Sequence, residues 1–413
     1  MTGHDLSTER EAVNDSRAVK AGQLTRRTAF SFVVLIGVLS LFSDMTYEGA
    51  RSIYGPFLAV LGTSATAVGL IAGAGELVGY LVRLLSGIWA DRTGKYWWFT
   101  IGGYALNLLV VPALALVGRW ELAALLMIAE RAGKGIRTPA RDAMLSFATS
   151  RFGHGWGFAL HEALDQTGAI TGPLLCAWIL ATRQSYSIAF GVLIIPALIA
   201  MLILVAARIS YPSPRDLEVS NSAKIGADRK LPRPFWHYTL AVGLLAVGFA
   251  DFPLMAFHIK RLSLTSDVTI PILYSVAMGV DALSALFFGR LFDRYGNRSL
   301  VWAFSAAMLF APLAFSSSLT LVVIGICLWG VGMGAMESIV KAGIAQLVRP
   351  ERRATAFGTF NAVFGIAWFA GSAALGLLYD WHPAAAAAFA ATMQGVAVLA
   401  LTRVTTRLTK SAG

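Results

Sequence analysis

Asp44, Glu48 and Arg51 stand four and seven residues apart in an otherwise apolar run. On a helix those offsets put all three within about 60° of arc on one face. Two carboxylates beside a guanidinium in apolar surroundings can hold and release a proton, because burial and a nearby cation push a carboxylate's proton affinity in opposite directions. A salt bridge that only neutralises itself is the alternative. Asp251 and His258 repeat the spacing of Asp44 and Arg51. A histidine there either titrates near neutral pH or is a satisfied structural side chain. Glu130, Arg131 and Lys134 charge another apolar run, as do Glu337 and Lys341. Glu130–Lys134 and Glu337–Lys341 share an i,i+4 spacing, which on a helix favours ion pairs and reduces the cost of burial. Glu76 and Arg83, on one helical face, read as a self-neutralising pair, and Phe360, Phe364 and Trp368 as a packing stripe.

The elements that carry these residues are membrane spans. The chain has 413 residues, 56% hydrophobic and 14% charged, with a mean hydropathy of +0.65. Soluble domains carry about 25% charged residues. Twelve apolar runs approach the ~20 residues that a transmembrane helix needs, far more than a soluble globule of this size can bury. The fold class is an all-α membrane protein with twelve transmembrane helices. Charges inside such runs are costly and are functional candidates by default.

The net charge of +11 is a topology signal. Lys and Arg concentrate in the N-terminal stretch, the even loops, the central polar stretch and the C-terminus, while the opposite loops hold only Arg119, Arg183, Lys260 and Arg261. The positive-inside rule then puts both termini in the cytoplasm of a multi-pass protein of the inner (plasma) membrane. This placement argues against nucleic acid as a partner. Residues 1–27 read as a disordered cytoplasmic tail and 209–235 as a cytoplasmic linker, leaving six-helix bundles at 28–208 and 236–413.

The two halves repeat. Gly87-x-x-x-Asp91-Arg92-x-Gly94-Lys95 recurs as Gly289-x-x-x-Asp293-Arg294-x-Gly296-Asn297. Asp44 aligns with Asp251, and Glu130 and Lys134 with Glu337 and Lys341, at one common offset of 207 residues. Six spans separate the copies, an even number, so the repeat is parallel.

The doubled loop motif resembles the signature of the major facilitator superfamily, and span count, linker and symmetry extend the resemblance over the whole chain. It implies two pseudo-symmetric six-helix bundles around a central substrate cavity, worked by alternating access. Asn297 departs from the basic residue usual there. Arg131-x-x-Lys134-Gly135 resembles the span-4 motif of proton-coupled members, with Lys134 in place of the usual amide. Gly168-x-x-x-Gly172-Pro173 resembles the span-5 motif of exporters, and small residues there also let helix backbones pack closely.

The resulting expectation is a proton-coupled exporter of small molecules, monomeric, with lipid, protons and substrate as partners. The cavity set is Asp44, Glu48, Arg51, Glu130, Arg131, Lys134, Asp251, His258, Glu337 and Lys341. The cytoplasmic gate is Gly87, Asp91, Arg92, Gly94, Lys95, Gly289, Asp293, Arg294 and Gly296, with Arg137 or Arg141 as partner to Asp91. An uptake symporter of the same fold, and a non-transporting membrane sensor, are the alternatives. Neither a nucleotide-binding glycine loop, nor metal-ligand spacing, nor a catalytic triad is recognisable, so neither a cofactor nor an enzyme activity is expected.

Overall fold

Long apolar runs with few breakers leave the backbone one way to satisfy its N–H and C=O groups inside lipid, the α-helix. The computed structural model describes residues 5–149, 154–213, 231–348 and 353–412, and among them there is no strand. Helices α1 (Asp5–Val60), α2 (Ala65–Thr93), α3 (Tyr96–Ala113), α4 (Trp120–Thr149), α5 (His154–Arg183), α6 (Tyr186–Val192) and α7 (Ile194–Ser210) precede the central polar stretch. Helices α8 (Arg233–Val247), α9 (Phe252–Arg261), α10 (Thr269–Tyr295), α11 (Arg298–Ala307), α12 (Phe310–Ala314), α13 (Leu319–Ala335), α14 (Lys341–Leu347), α15 (Arg353–Trp381) and α16 (Pro383–Ala412) follow it. A π-helical segment, Met336–Val340, joins α13 to α14.

Nine helical stretches of the described residues are long and apolar enough to cross a membrane. Helices α4 and α5 are not among them. Helix α1 begins at Asp5, inside the stretch expected as a disordered tail, and its apolar part runs from Arg26 to Val60. Most of the expected linker, 214–230, lies outside the described residues.

The surface is apolar and the interior is charged. Leu84, Leu85, Trp89, Leu202, Leu283, Leu286, Phe287 and Leu399 are exposed, whereas Asp44, Glu48, Arg51, Glu130, Arg137, Asp251 and Asp281 are buried. This inverts the soluble pattern and suits a lipid surround.

Three helix pairs make most of the contact between the two halves of the chain. Helix α2 packs on α15, α1 on α9 and α5 on α10. Gly55 of α1 meets the backbone of Pro253 and Phe257, and Gly69 of α2 meets that of Ser372 and Gly376. The loop glycines have a local reason as well. Gly94 and Gly296 end α2 and α10 at φ of 66° and 59°, a left-handed backbone that residues with a Cβ resist.

The longest non-helical break inside an apolar stretch lies between α8 and α9. Trp329 Nε1 donates to the freed Ala250 carbonyl (2.9 Å) and Gln394 Nε2 to that of Gly248 (3.0 Å). Non-helical backbone at membrane depth needs such internal donors. Asp251 stands at the start of α9, at the end of this break.

Candidate functional site

A cavity of about 660 Å³ lies between the two halves. Helix α4 supplies one charged wall, with Arg131, Lys134, Arg137 and Arg141 on the face it turns inward. A stripe at i, i+3, i+6 and i+10 of one helix produces that wall. Helix α1 answers with Asp44, Glu48 and Arg51, α2 with Glu76, and α5 with His161, Glu162 and Asp165. Helix α10 adds Tyr274 and Asp281, the π segment Glu337, and α15 the stripe Phe360, Phe364 and Trp368.

The centre is a ladder of charges. The Arg51 guanidinium stands 3.4 Å from Glu76, 3.3 Å from Asp251 and 4.0 Å from Glu48. It therefore ties α1, α2 and the start of α9 together. Asp251 is completed by Trp368 Nε1 (2.8 Å) and Ser372 Oγ (3.0 Å), both donors from α15. Arg131 lies 3.5 Å from both Glu76 and Glu130. Lys134 donates to the Tyr47 hydroxyl (2.7 Å) and stands 3.9 Å from Glu48, whose other oxygen accepts from Tyr274. Arg137 lies 3.8 Å from Asp44, with its guanidinium over the Tyr104 ring at 4.3 Å. Arg141 ends the ladder, paired with Asp142 (2.9 Å) and Asp165 (3.8 Å). A pair in low dielectric holds strongly as a pair, and either member is costly to leave alone.

Several expected groupings differ. Glu130 and Lys134 form no pair. Glu130 is buried beneath the ladder, accepts from Asn107 Nδ2 at 2.7 Å and does not line the cavity, while Lys134 turns to α1. Glu337 and Lys341 both line the cavity, with no ion pair between them. The wider π turn between them breaks the α-helical i,i+4 register. Asp251 faces a smaller recess behind Arg51. His258 is outside the cavity, held by the Tyr379 hydroxyl at 2.8 Å and the Ser316 carbonyl at 3.0 Å. Glu76 pairs with Arg51 and Arg131, not with Arg83.

The loop-motif residues lie elsewhere. Asp91 is exposed and accepts from Tyr96 of the next helix at 3.1 Å. Arg137 and Arg141 are engaged inside the cavity and do not reach Asp91, and Asp293 is exposed without an ion pair among the described residues. Gly87 meets the Pro139 ring, and Gly289 meets nothing within 4 Å. Arg92, Lys95 and Arg294 are exposed. Gly168 and Gly172 lie against the Leu41 and Met45 carbonyls of α1, and Pro173 follows within α5.

Sequence reasoning passed over Asp281 and Glu162. Each is an acid in or beside an apolar run, signal enough by itself, but neither has an acidic copy in the other half.

The cavity is asymmetric along its axis. Its lining reaches Asp142 and Glu162, where α4 ends and α5 begins. At the far end Asp380 of α15 accepts from the Ala65 and Thr66 amides of α2 at 3.0 and 2.7 Å and from the Thr66 hydroxyl at 2.6 Å. Arg261 stands 3.5 Å from the same carboxylate.

The sequence matches the family model of the Major Facilitator Superfamily over residues 33–311 and 254–412. This chain belongs to the major facilitator superfamily. An uncharacterized protein of Mycobacterium tuberculosis is 41% identical over 358 residues, covering 86% of this chain and 88% of that protein. The fosmidomycin resistance protein of Escherichia coli K12 is 25% identical over 379 residues, covering 86% and 87%. Among solved structures, the nucleoside transporter NupG superposes with a TM-score of 0.69 at 13% identity, covering 91% of this chain and 98% of that one. A bacterial homologue of the human lysosomal transporter Spinster, inward-facing and occupied, gives 0.66 at 15% identity, covering 92% and 94%. At such identities the likeness is one of fold.

Proposed function

We propose that this chain is a secondary active transporter that exports small molecules in exchange for protons by alternating access. The observation that carries the reading is the charged cavity itself, lined as far as Asp142 and Glu162 toward one end and tied shut at the other by Asp380. A ladder of buried acids and bases costs stability and has no structural need for so many titratable groups.

The reading includes twelve passes in two six-helix bundles, 28–208 and 236–413, joined by a linker at 209–235. Five passes are broken rods: α3 with its 3₁₀ end, α6–α7, α8–α9, α11–α12, and α13 through α14. Seven unbroken helices complete the twelve. Both termini then face the cytoplasm of the plasma membrane, as the basic loops suggest, and the cavity opens inward. The chain works as a monomer, and Asp44, Glu48 and Asp251 exchange the proton under the influence of Arg51, Arg131 and Arg137. Asp91 and Asp293, which have no ion pair among the described residues, latch the cytoplasmic side in the alternate state. Support for export comes from the Gly168/Gly172/Pro173 motif and from the similarity to the fosmidomycin resistance protein of Escherichia coli.

Proteoliposomes test the proposal, with a panel of anionic, neutral and cationic small molecules as cargo, fosmidomycin among the anions. An imposed pH gradient should drive flux, and Asp44→Asn should uncouple or abolish it. Gradient-independent flux with an inert Asp44→Asn substitution would sink the coupling.

A further inference from the structure

Five of the eight acids lining the cavity have a cation within 4.0 Å: Asp44, Glu48, Glu76, Asp142 and Asp165. Asp281, Glu337 and Glu162 have none among the described residues. Asp281 is 2% exposed, lines the cavity, and its Oδ1 lacks any hydrogen-bond partner. The charges that act on it most are those of Glu337, Glu162 and Glu48, all acids, whereas Glu337 itself also feels Lys341 and Lys134, neither of them within 4.0 Å. Helix α10 packs against both α5 and the π segment, so the three unpaired carboxylates share one wall. The π turn makes that possible, since it displaces Glu337 from the α-helical register and leaves it exposed to the cavity. The same cavity is also lined by Met278, Met333, Met336 and Phe364. Thioethers and aromatic faces are soft surfaces that accept bulky apolar and cationic groups.

A carboxylate buried without a partner must take up a proton or receive a cation from elsewhere. Among the described residues no cluster of acids is close enough to hold a metal ion. We propose that Asp281, Glu337 and Glu162 form a subsite for an organic cation, a quaternary or protonated amine on an apolar body. This deepens the transport reading and rests on it, because it assigns the charge of the cargo. The self-paired ladder on α1 and α4 is then left to the coupling ion, and the α10 wall selects the cargo.

The test measures binding on the purified full chain in lipid nanodiscs, so it stands apart from flux. Benzyltrimethylammonium keeps its charge at every pH, and neopentylbenzene is its neutral isostere. The cation should raise Tm and bind saturably, and the isostere should not. Asp281→Asn should weaken the cation at least ten-fold, with partial rescue by Asp281→Glu. Glu337→Gln and Glu162→Gln should each weaken it severalfold; both side chains are exposed, so these variants carry the test if Asp281→Asn does not fold. Equal stabilisation by the isostere, or unchanged affinity in the Asn and Gln variants, overturns the subsite and leaves Asp281 with a proton only. A chain that moves cargo in proteoliposomes but binds without regard to charge keeps the transport reading and loses this one.

Discussion

Asp380, near the end of α15, caps the start of α2 through the amide and hydroxyl of Thr66. The carboxylate meets exposed helix N–H groups and the positive end of the helix dipole, and both favour an anion. This contact joins the two halves of the chain at the end opposite the cavity mouth.

Replacing Asp380 with Ala removes three charge-assisted hydrogen bonds and the Arg261 pair. A loss of about 2–3 kcal/mol follows if the bonds are partly replaced by water, enough to shift a two-state balance roughly 30- to 150-fold. Spin labels at Val60 and His382 should then show a new population at longer distance. An unchanged distribution would mean that the glycine-mediated packing of α2 on α15 holds this end closed without the carboxylate.

Arg51 answers three acids at once. Arg51→Met should cost about 3–5 kcal/mol, because it strands buried carboxylates rather than merely removing a bond. Adding Asp251→Asn should recover part of that loss. A double-mutant cycle read from denaturant or thermal unfolding gives the coupling. Strict additivity of the two substitutions would show that the 3.3 Å contact carries no energy of its own.

Gly172 of α5 sits against the Met45 carbonyl of α1, where a Cβ would overlap backbone. Gly172→Leu should cost about 1–3 kcal/mol or more by forcing the helices apart. Gly289→Ala, in open space, should change stability by well under that amount. Thermal unfolding of the two variants side by side checks the contrast.

Gly94 closes α2 in the left-handed region with its N–H on the Ala90 carbonyl at 2.8 Å. Gly94→Val should cost about 1–2 kcal/mol of backbone strain, and Gly94→Asn distinctly less. At Gly296, whose φ of 59° and ψ of −142° lie outside the αL basin, Asn should be as poorly tolerated as Val. If Val and Asn are equally tolerated at Gly94, that glycine serves something other than the turn.

The cavity wall on α4 explains why that helix escapes a hydropathy search. Helix α4 fails the test of an apolar span because Glu130, Arg131, Lys134, Arg137 and Arg141 crowd it. Those residues meet opposite charges or hydrogen-bond partners on α1, α2, α3 and α5, so the helix can sit where lipid alone would reject it. Hydropathy sees the cost of the charges; only their partners show how it is met.

The sequence by itself determined the helical class, the repeat of charged positions at a common offset, the basic-loop asymmetry and the placing of charges on α1 and α4. Each of these follows from local periodicity or composition, which a single strand of residues carries in full. Helical spacing in the sequence also suggested partners, and there tertiary structure decided otherwise. Asp44 went to Arg137, Asp251 to Arg51, and Lys134 to Tyr47, because a side chain pairs with what packs across from it and not only with its neighbour one turn along. His258 was turned into packing by Tyr379 and Ser316, and a π turn separated Glu337 from Lys341. Asp281 stayed silent in the sequence because its significance is an absence. Only the packed structure shows that this carboxylate is buried with an unpartnered oxygen and, among the described residues, no ion pair.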